Sequence, residues 1–220
     1  MPELRVAAFD RRQFLVTTFL TGWALLCAGC SSEEAKTTAA DEHAPETYKA
    51  KFETSKGDFE VTVTRDWSPL GADRFYTLVK RGFYDEARFF RVLPGFVVQF
   101  GIAADAAVTA KWRNANLTDD PVKQSNRRAT VTFATGGPNT RTTQVFINLA
   151  DTARLDPRGF SPFGAVSQGM EVVDQFYSGY GEGAPNGNGP AQTSAEADGN
   201  AYLIREFPKL DYIKKATIEK

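Results

Sequence analysis

Histidine and cysteine are nearly missing from this chain. The only histidine among its 220 residues is His43, in a polar stretch, and both cysteines, Cys27 and Cys30, lie close to the start. Beyond residue 43, therefore, no Ser-His-Asp triad, histidine-based zinc site or catalytic thiol can be assembled, and neither a metal nor a cofactor is expected. Cys27-Ala28-Gly29-Cys30 has the spacing of a redox pair, but it ends an apolar run instead of standing between a strand and a helix. An excess of either charge is missing too. The 26 basic and 27 acidic residues nearly cancel, and no basic run is longer than a pair such as Arg127-Arg128, so nothing offers a footprint for nucleic acid. The glycine-rich stretch 179–189, GYGEGAPNGNG, is interrupted by Pro185, contains no GxGxxG and is followed by no P-loop lysine, which argues against a phosphate cradle.

The first part of the chain is organised for export. Arg5, Arg11 and Arg12 precede an apolar run over 14–27, too short for a comfortable membrane span, and small residues follow. Residues 10–15, DRRQFL, fit either a twin-arginine pattern or an ordinary secretory basic region. Residues 26–30, LCAGC, resemble a bacterial lipobox in which Cys30 would take a diacylglycerol thioether and become the first mature residue. Acyl chains there would hold the protein on a membrane surface, each buried methylene contributing about 0.8 kcal/mol. Plain cleavage, giving a soluble secreted or periplasmic protein, is the alternative. The expected division is an export signal over 1–29, a polar flexible tether over 30–47 and a single folded domain over 48–220, expected to be monomeric.

With 42% hydrophobic and 12% aromatic residues, the remaining length can bury one sizeable core. Two alternating runs, YKAKFET and DFEVTVT, flank Ser55-Lys56-Gly57 and predict a hairpin. Ser68-Pro69 reads as an N-cap and a first-turn proline, with Leu70, Phe75, Leu78 and Val79 at helical spacing until Gly82. Further strands are expected over 88–92, 96–100, 129–134, 144–149, 163–166, 201–205 and 212–218, and a second helix over 170–177. The expected fold is mainly β: a closed antiparallel barrel of about eight strands capped by two α-helices.

Two segments carry the chemistry. Residues 88–101, RFFRVLPGFVVQFG, read as two short strands meeting at a Pro-Gly turn, with Arg91 and Gln99 as polar interruptions of an apolar run. Residues 133–148, FATGGPNTRTTQVFIN, form the second. The spacings FxRVxPGFxxQxG and AxxGPNTxxxQxFI resemble the two signatures of the cyclophilin-type peptidyl-prolyl cis-trans isomerases. The resemblance continues through Leu155, Asp156 and Phe163-Gly164 and spans 48–218.

The resemblance implies a closed barrel that binds proline-containing polypeptides and accelerates rotation about Xaa-Pro bonds. Phe96, Val97, Phe146, Leu155 and Phe160 would hold the proline ring. Arg91 would donate to the prolyl nitrogen, Gln99 would hold Arg91 and substrate backbone, and Gln144 with the backbone at Ala134 and Thr135 would guide the extended peptide. Arg91, Phe96, Gln99 and Phe146 would thus form the catalytic set. The chain departs from the family pattern at four places. Phe90 stands for a histidine, Val97 for a methionine, Arg154 for the tryptophan of many members, and Phe160 near a second histidine, beside a one-residue insertion. Arg154 implies weak binding of cyclosporin. The expected function is an exported, membrane-tethered isomerase that assists folding of envelope or secreted proteins. A non-catalytic proline-peptide-binding or chaperone module on the same fold is the alternative, and a solute-binding lipoprotein is disfavoured because that class needs two lobes.

Overall fold

The computed structural model describes residues 40–219; the export segment, Cys27 and Cys30 lie outside them. The hairpin forms as the sequence predicts. β1 (Thr47–Thr54) and β2 (Gly57–Thr64) pair antiparallel around Ser55 and Lys56, with Phe52 opposite Phe59 and their rings stacked 4.8 Å apart. Strict alternation puts Tyr48, Ala50, Phe52 and Thr54 of β1 on the buried face. Preceding β1, residues of the polar segment dock on the domain: Asp41 accepts from Arg74 Nε at 2.7 Å, Ala44 N–H donates to Asp73 at 2.9 Å, and Ala44 is buried.

The other strands are β3 (Arg91–Leu93), β4 (Val97–Phe100), β5 (Thr130–Phe133), β6 (Val145–Asn148), β7 (Pro162–Gln168) and β8 (Ile213–Glu219). They form one eight-stranded sheet in the order β3-β4-β6-β5-β7-β2-β1-β8, and every pairing is antiparallel. The sheet curls until its edges meet, but the junction is narrower than a full ladder. It consists of the bridge between Arg88 and Tyr212, flanked by Phe89 N–H to Asp211 O (3.0 Å) and Ile213 N–H to Ala87 O (2.9 Å). Inside the curl, Phe52, Phe59, Phe75, Tyr84, Phe89 and Phe100 pack edge-on and stacked, so aromatic rings fill the volume the short strands enclose.

Helix α1 (Pro69–Lys80) covers one end with Phe75, Leu78 and Val79, whereas Leu70 stays exposed. Ser68 stands at its N-cap, but its hydroxyl donates to Asp120 (2.6 Å) instead of capping. Asp120 itself accepts from the N–H groups of Leu70 and Gly71 at the helix start.

The two-helix expectation is too low, since five α-helices occur among the described residues. They are α1, α2 (Ala106–Trp112), α3 (Met170–Val173), α4 (Gln192–Asp198) and α5 (Asn200–Glu206). The helix expected over 170–177 is only the four residues of α3. The strand expected over 201–205 is α5. Its five-residue window is too short to separate the two periods, and burial decided the matter. Leu203 packs with Phe90, Ile102, Ala195 and Leu210, leaving Ile204 exposed.

Candidate active site

Strand register brings the two sequence motifs together. Arg91 on β3 is the direct partner of Gln99 on β4, and Gln99 is the direct partner of Phe146 on β6. Residues as far apart in sequence as Arg91 and Phe146 thus end side by side on three adjacent strands. The closing glycine of the first motif is required by this pairing. Gly101 has φ +110°, and a Cβ there would lie 2.5 Å from the backbone oxygen of Thr143.

Phe146, Val97 and Leu155 form a small apolar cluster, each no more than 5% exposed, against which Phe96, Ala134 and Phe160 pack. They line a cavity of about 280 Å³ together with Arg91, Gln99, Thr135 and Arg158. Leu155 reaches it from a 3-10 turn (Ala153–Arg158) that its neighbour fixes. Asp156 accepts from Ser125 Oγ (2.6 Å) and from the backbone and side-chain N–H of Asn126 (2.9 and 2.8 Å). Burial alone would raise the Asp156 pKa, yet these hydrogen bonds outweigh it and hold the carboxyl below its usual value. Phe160 meets Phe146 edge-on at 5.8 Å. Arg154, at the position of the family's tryptophan, lays its guanidinium over the Phe96 ring at 4.7 Å.

A second, polar cavity of about 460 Å³ adjoins the first, with Gln99, Ala134 and Thr135 on the shared wall and Gln144, Arg113, Asn116, Gln192 and Glu196 beyond. A chain of hydrogen bonds crosses between the two. Arg91 Nη1 donates to Gln99 Oε1 (3.1 Å), Gln99 Nε2 to Gln144 Oε1 (2.9 Å), and Gln144 Nε2 to Glu196 Oε1 (2.9 Å). At its other end, Arg91 is forked by Glu182, with Nε and Nη2 each 2.6 Å from a carboxylate oxygen. Hydrogen bonds from Arg91 hold the Glu182 carboxyl below its ordinary pKa against the opposing effect of burial, and Gly183 N–H adds to them.

All ten residues proposed from sequence for the folded part of the site are therefore gathered on the walls of these two adjoining cavities: Arg91, Phe96, Val97, Gln99, Ala134, Thr135, Gln144, Phe146, Leu155 and Phe160. Cys30, the proposed lipidation position, lies outside the described residues. Sequence reasoning missed Glu182 and Glu196. The first was hidden in a glycine-rich loop read only for phosphate chemistry, where a lone acid among glycines was the available signal. The second lies on a helix that the pattern did not reveal. Phe90 is also explained: buried with Leu203 and Ala195, it anchors α4 and α5 and does not face the apolar cavity.

An antiparallel curled sheet with an arginine beside a phenylalanine-walled groove defines a class of proline-peptide enzymes, and comparison with known proteins agrees. Residues 49–194 match the family described as cyclophilin type peptidyl-prolyl cis-trans isomerase/CLD. The chain is 37% identical over 135 residues to peptidyl-prolyl cis-trans isomerase A of Dickeya dadantii, a match covering 56% of this chain and 67% of that protein. It is 32% identical over 140 residues to a peptidyl-prolyl cis-trans isomerase of Acinetobacter baylyi, covering 61% and 74%. In fold it is similar to a cyclophilin type isomerase of Cryptosporidium parvum, with a TM-score of 0.58, 20% identity, and 79% and 98% of the two chains covered. A second structure of that protein, determined in the presence of the dipeptide Ala-Pro, gives a TM-score of 0.57 at 20% identity, with 78% and 99% covered. The chain belongs to the cyclophilin-type peptidyl-prolyl cis-trans isomerases, and its reaction is cis-trans isomerisation at Xaa-Pro bonds.

Proposed function

We propose that this isomerase works on exported or envelope polypeptides from a lipid anchor at Cys30, with Arg91 as its principal catalytic group. Rotation about an Xaa-Pro bond crosses a barrier of about 18–20 kcal/mol because amide resonance must be broken. Shortening a process of tens of seconds to milliseconds needs about 5–7 kcal/mol of stabilisation specific to the twisted amide. No bond is made or cut, so a site without histidine or thiol suffices.

The apolar cavity takes the proline ring between Phe96, Phe146, Leu155 and Phe160. Arg91 donates to the prolyl nitrogen as resonance is lost and that nitrogen becomes a hydrogen-bond acceptor, a change that occurs only on the way to the twisted state. Gln99, held by Gln144, limits the swing of Arg91, and the backbone at Ala134 and Thr135 pairs with the extended peptide. The observation that carries this reading is the Arg91 guanidinium on the wall of a cavity that is large enough for a proline ring and is lined by the apolar cluster of Val97, Phe146 and Leu155.

The test is cis-to-trans conversion of short Xaa-Pro peptides by the wild-type chain and by Arg91→Ala. Fast conversion that collapses in a folded variant is the expected result; equal rates would remove Arg91 from the mechanism. The pairing of Arg91 with a carboxylate favours one second reading, a non-catalytic proline-peptide-binding module, because a neutralised guanidinium stabilises developing charge less. That module would bind peptides equally well after Arg91→Ala and convert neither isomer. The anchor has its own check: labelled fatty acid should enter the wild-type chain in bacteria and fail to enter Cys30→Ala.

A further inference from the structure

The stretch 179–189 is too rich in glycine for chance packing to explain, and its fold shows what the glycines serve. Gly189 N–H donates to the backbone oxygen of Glu182 (2.8 Å), Gly183 N–H to the Glu182 side chain (3.0 Å), and Gly187 N–H to Gly183 O (3.0 Å). A Cβ at Gly187 would lie 2.3 Å from the Glu182 backbone oxygen, and one at Gly189 would lie 2.8 Å from it. The loop is wound tightly around a single residue, and that residue's side chain is the one that forks Arg91.

A carboxylate on a catalytic arginine is either a brake that occupies the place of substrate or a brace that fixes the arginine for it. Placement decides between them. Arg91 lines the apolar cavity and Glu182 lines neither that cavity nor the polar one, so the carboxylate approaches from outside the groove. A guanidinium carries five N–H donors in a rigid plane. Glu182 takes two and Gln99 one, which leaves one on Nη1 and one on Nη2 for a peptide in the groove. Glu182 and Gln99 thus hold the plane at two points and leave those two donors free.

We propose that Glu182 is a positioning residue for Arg91, bracing its guanidinium from the glycine-rich loop so that the two remaining N–H groups are presented to the prolyl bond. The proposal rests on the isomerase role given to Arg91 above. Both partners are partly exposed, 23% for Arg91 and 35% for Glu182, so the pair contributes chiefly geometry and little to stability.

The experiment measures kcat and KM of the full chain on Xaa-Pro peptides by exchange NMR, for the wild type, Glu182→Ala, Glu182→Gln, Arg91→Ala and the Glu182→Ala/Arg91→Ala double variant. Glu182→Ala should lower kcat about tenfold with KM within about twofold, as expected when orientation is lost and binding is kept. Glu182→Gln, which keeps one acceptor, should recover part of the loss. In the Arg91→Ala background the Glu182 change should add nothing. The Nε–H resonance of Arg91 should be protected from exchange in the wild type and lose that protection in Glu182→Ala. An unchanged or raised kcat in Glu182→Ala overturns the proposal, as does a loss of equal size in the Arg91→Ala background, which would assign the effect to loop packing. A wild type that does not catalyse overturns the isomerase role of Arg91 and the bracing role with it. A catalysing wild type with an indifferent Glu182→Ala overturns the bracing role alone.

Discussion

The two cavities that share the wall of Gln99, Ala134 and Thr135 are built by different means. The apolar one is made by motif residues on β3, β4 and β6 and by a turn pinned through Asp156, so its shape follows from strand register. The polar one is completed by Gln192 and Glu196 on α4, a helix that packs with Phe90 through Ala195. The first is suited to a ring common to every substrate. The second, with charged and amide groups at its rim, is suited to whatever side chain comes with it. If the apolar cavity takes the proline ring as proposed, chemistry and selectivity would be carried by separate structural units joined through one hydrogen-bond chain.

That separation can be broken from either side. The largest effect should come from Arg91→Ala, which removes the Arg91 guanidinium from the apolar side and should lower kcat/KM by about 10²–10³, the scale of losing one preorganised donor. Circular dichroism and thermal melting should show the fold intact. Phe146→Ala should follow. It empties the apolar cavity wall, should destabilise the domain by about 3 kcal/mol and should weaken binding of every Xaa-Pro peptide without changing their order. Urea unfolding and peptide titration would check both.

On the polar side, Glu196→Gln should leave the rate for neutral peptides close to wild type and reduce the preference for lysine over glutamate near the proline by about threefold at low salt, less at high salt. Uniform loss across the peptides would erase the proposed division. Cyclosporin should bind weakly, because Arg154 occupies the face of Phe96. Stoichiometric inhibition would contradict that.

The smallest effect concerns Asp156, which holds the turn under Leu155. Its folded pKa is depressed, so its stabilisation is complete above the unfolded value of about 3.9 and is lost as pH falls through the folded value. Melting curves should show the wild type losing on the order of 2 °C more than Asp156→Asn between pH 5 and pH 3.

How much of this was legible follows the length of each signal. The hairpin around Ser55 and Lys56 shows in sequence because eight alternating residues on either side fix its register. The two motifs were legible because each carries its own constraint, down to Gly101, whose φ and close approach to Thr143 admit no side chain. Helices α2, α4 and α5 have seven residues each, too few for periodicity to show, and α5 was read as a strand. Glu182 escaped because its partner lies 91 positions away, joined by a loop without apolar pattern.

The sequence by itself determined the chemical inventory: no histidine or thiol beyond residue 43, one arginine and one glutamine set in an apolar strand pair, and enough phenylalanine to fill a small curled sheet. Those are properties of residue type and short-range spacing, which the chain carries before it folds. The tertiary structure decided which acids meet the site, that Glu182 takes two of the five donors of Arg91, and that Phe90 anchors a helical layer. Such pairings arise when distant segments close over a common core, and local preference holds no record of which of many similar carboxylates will arrive there.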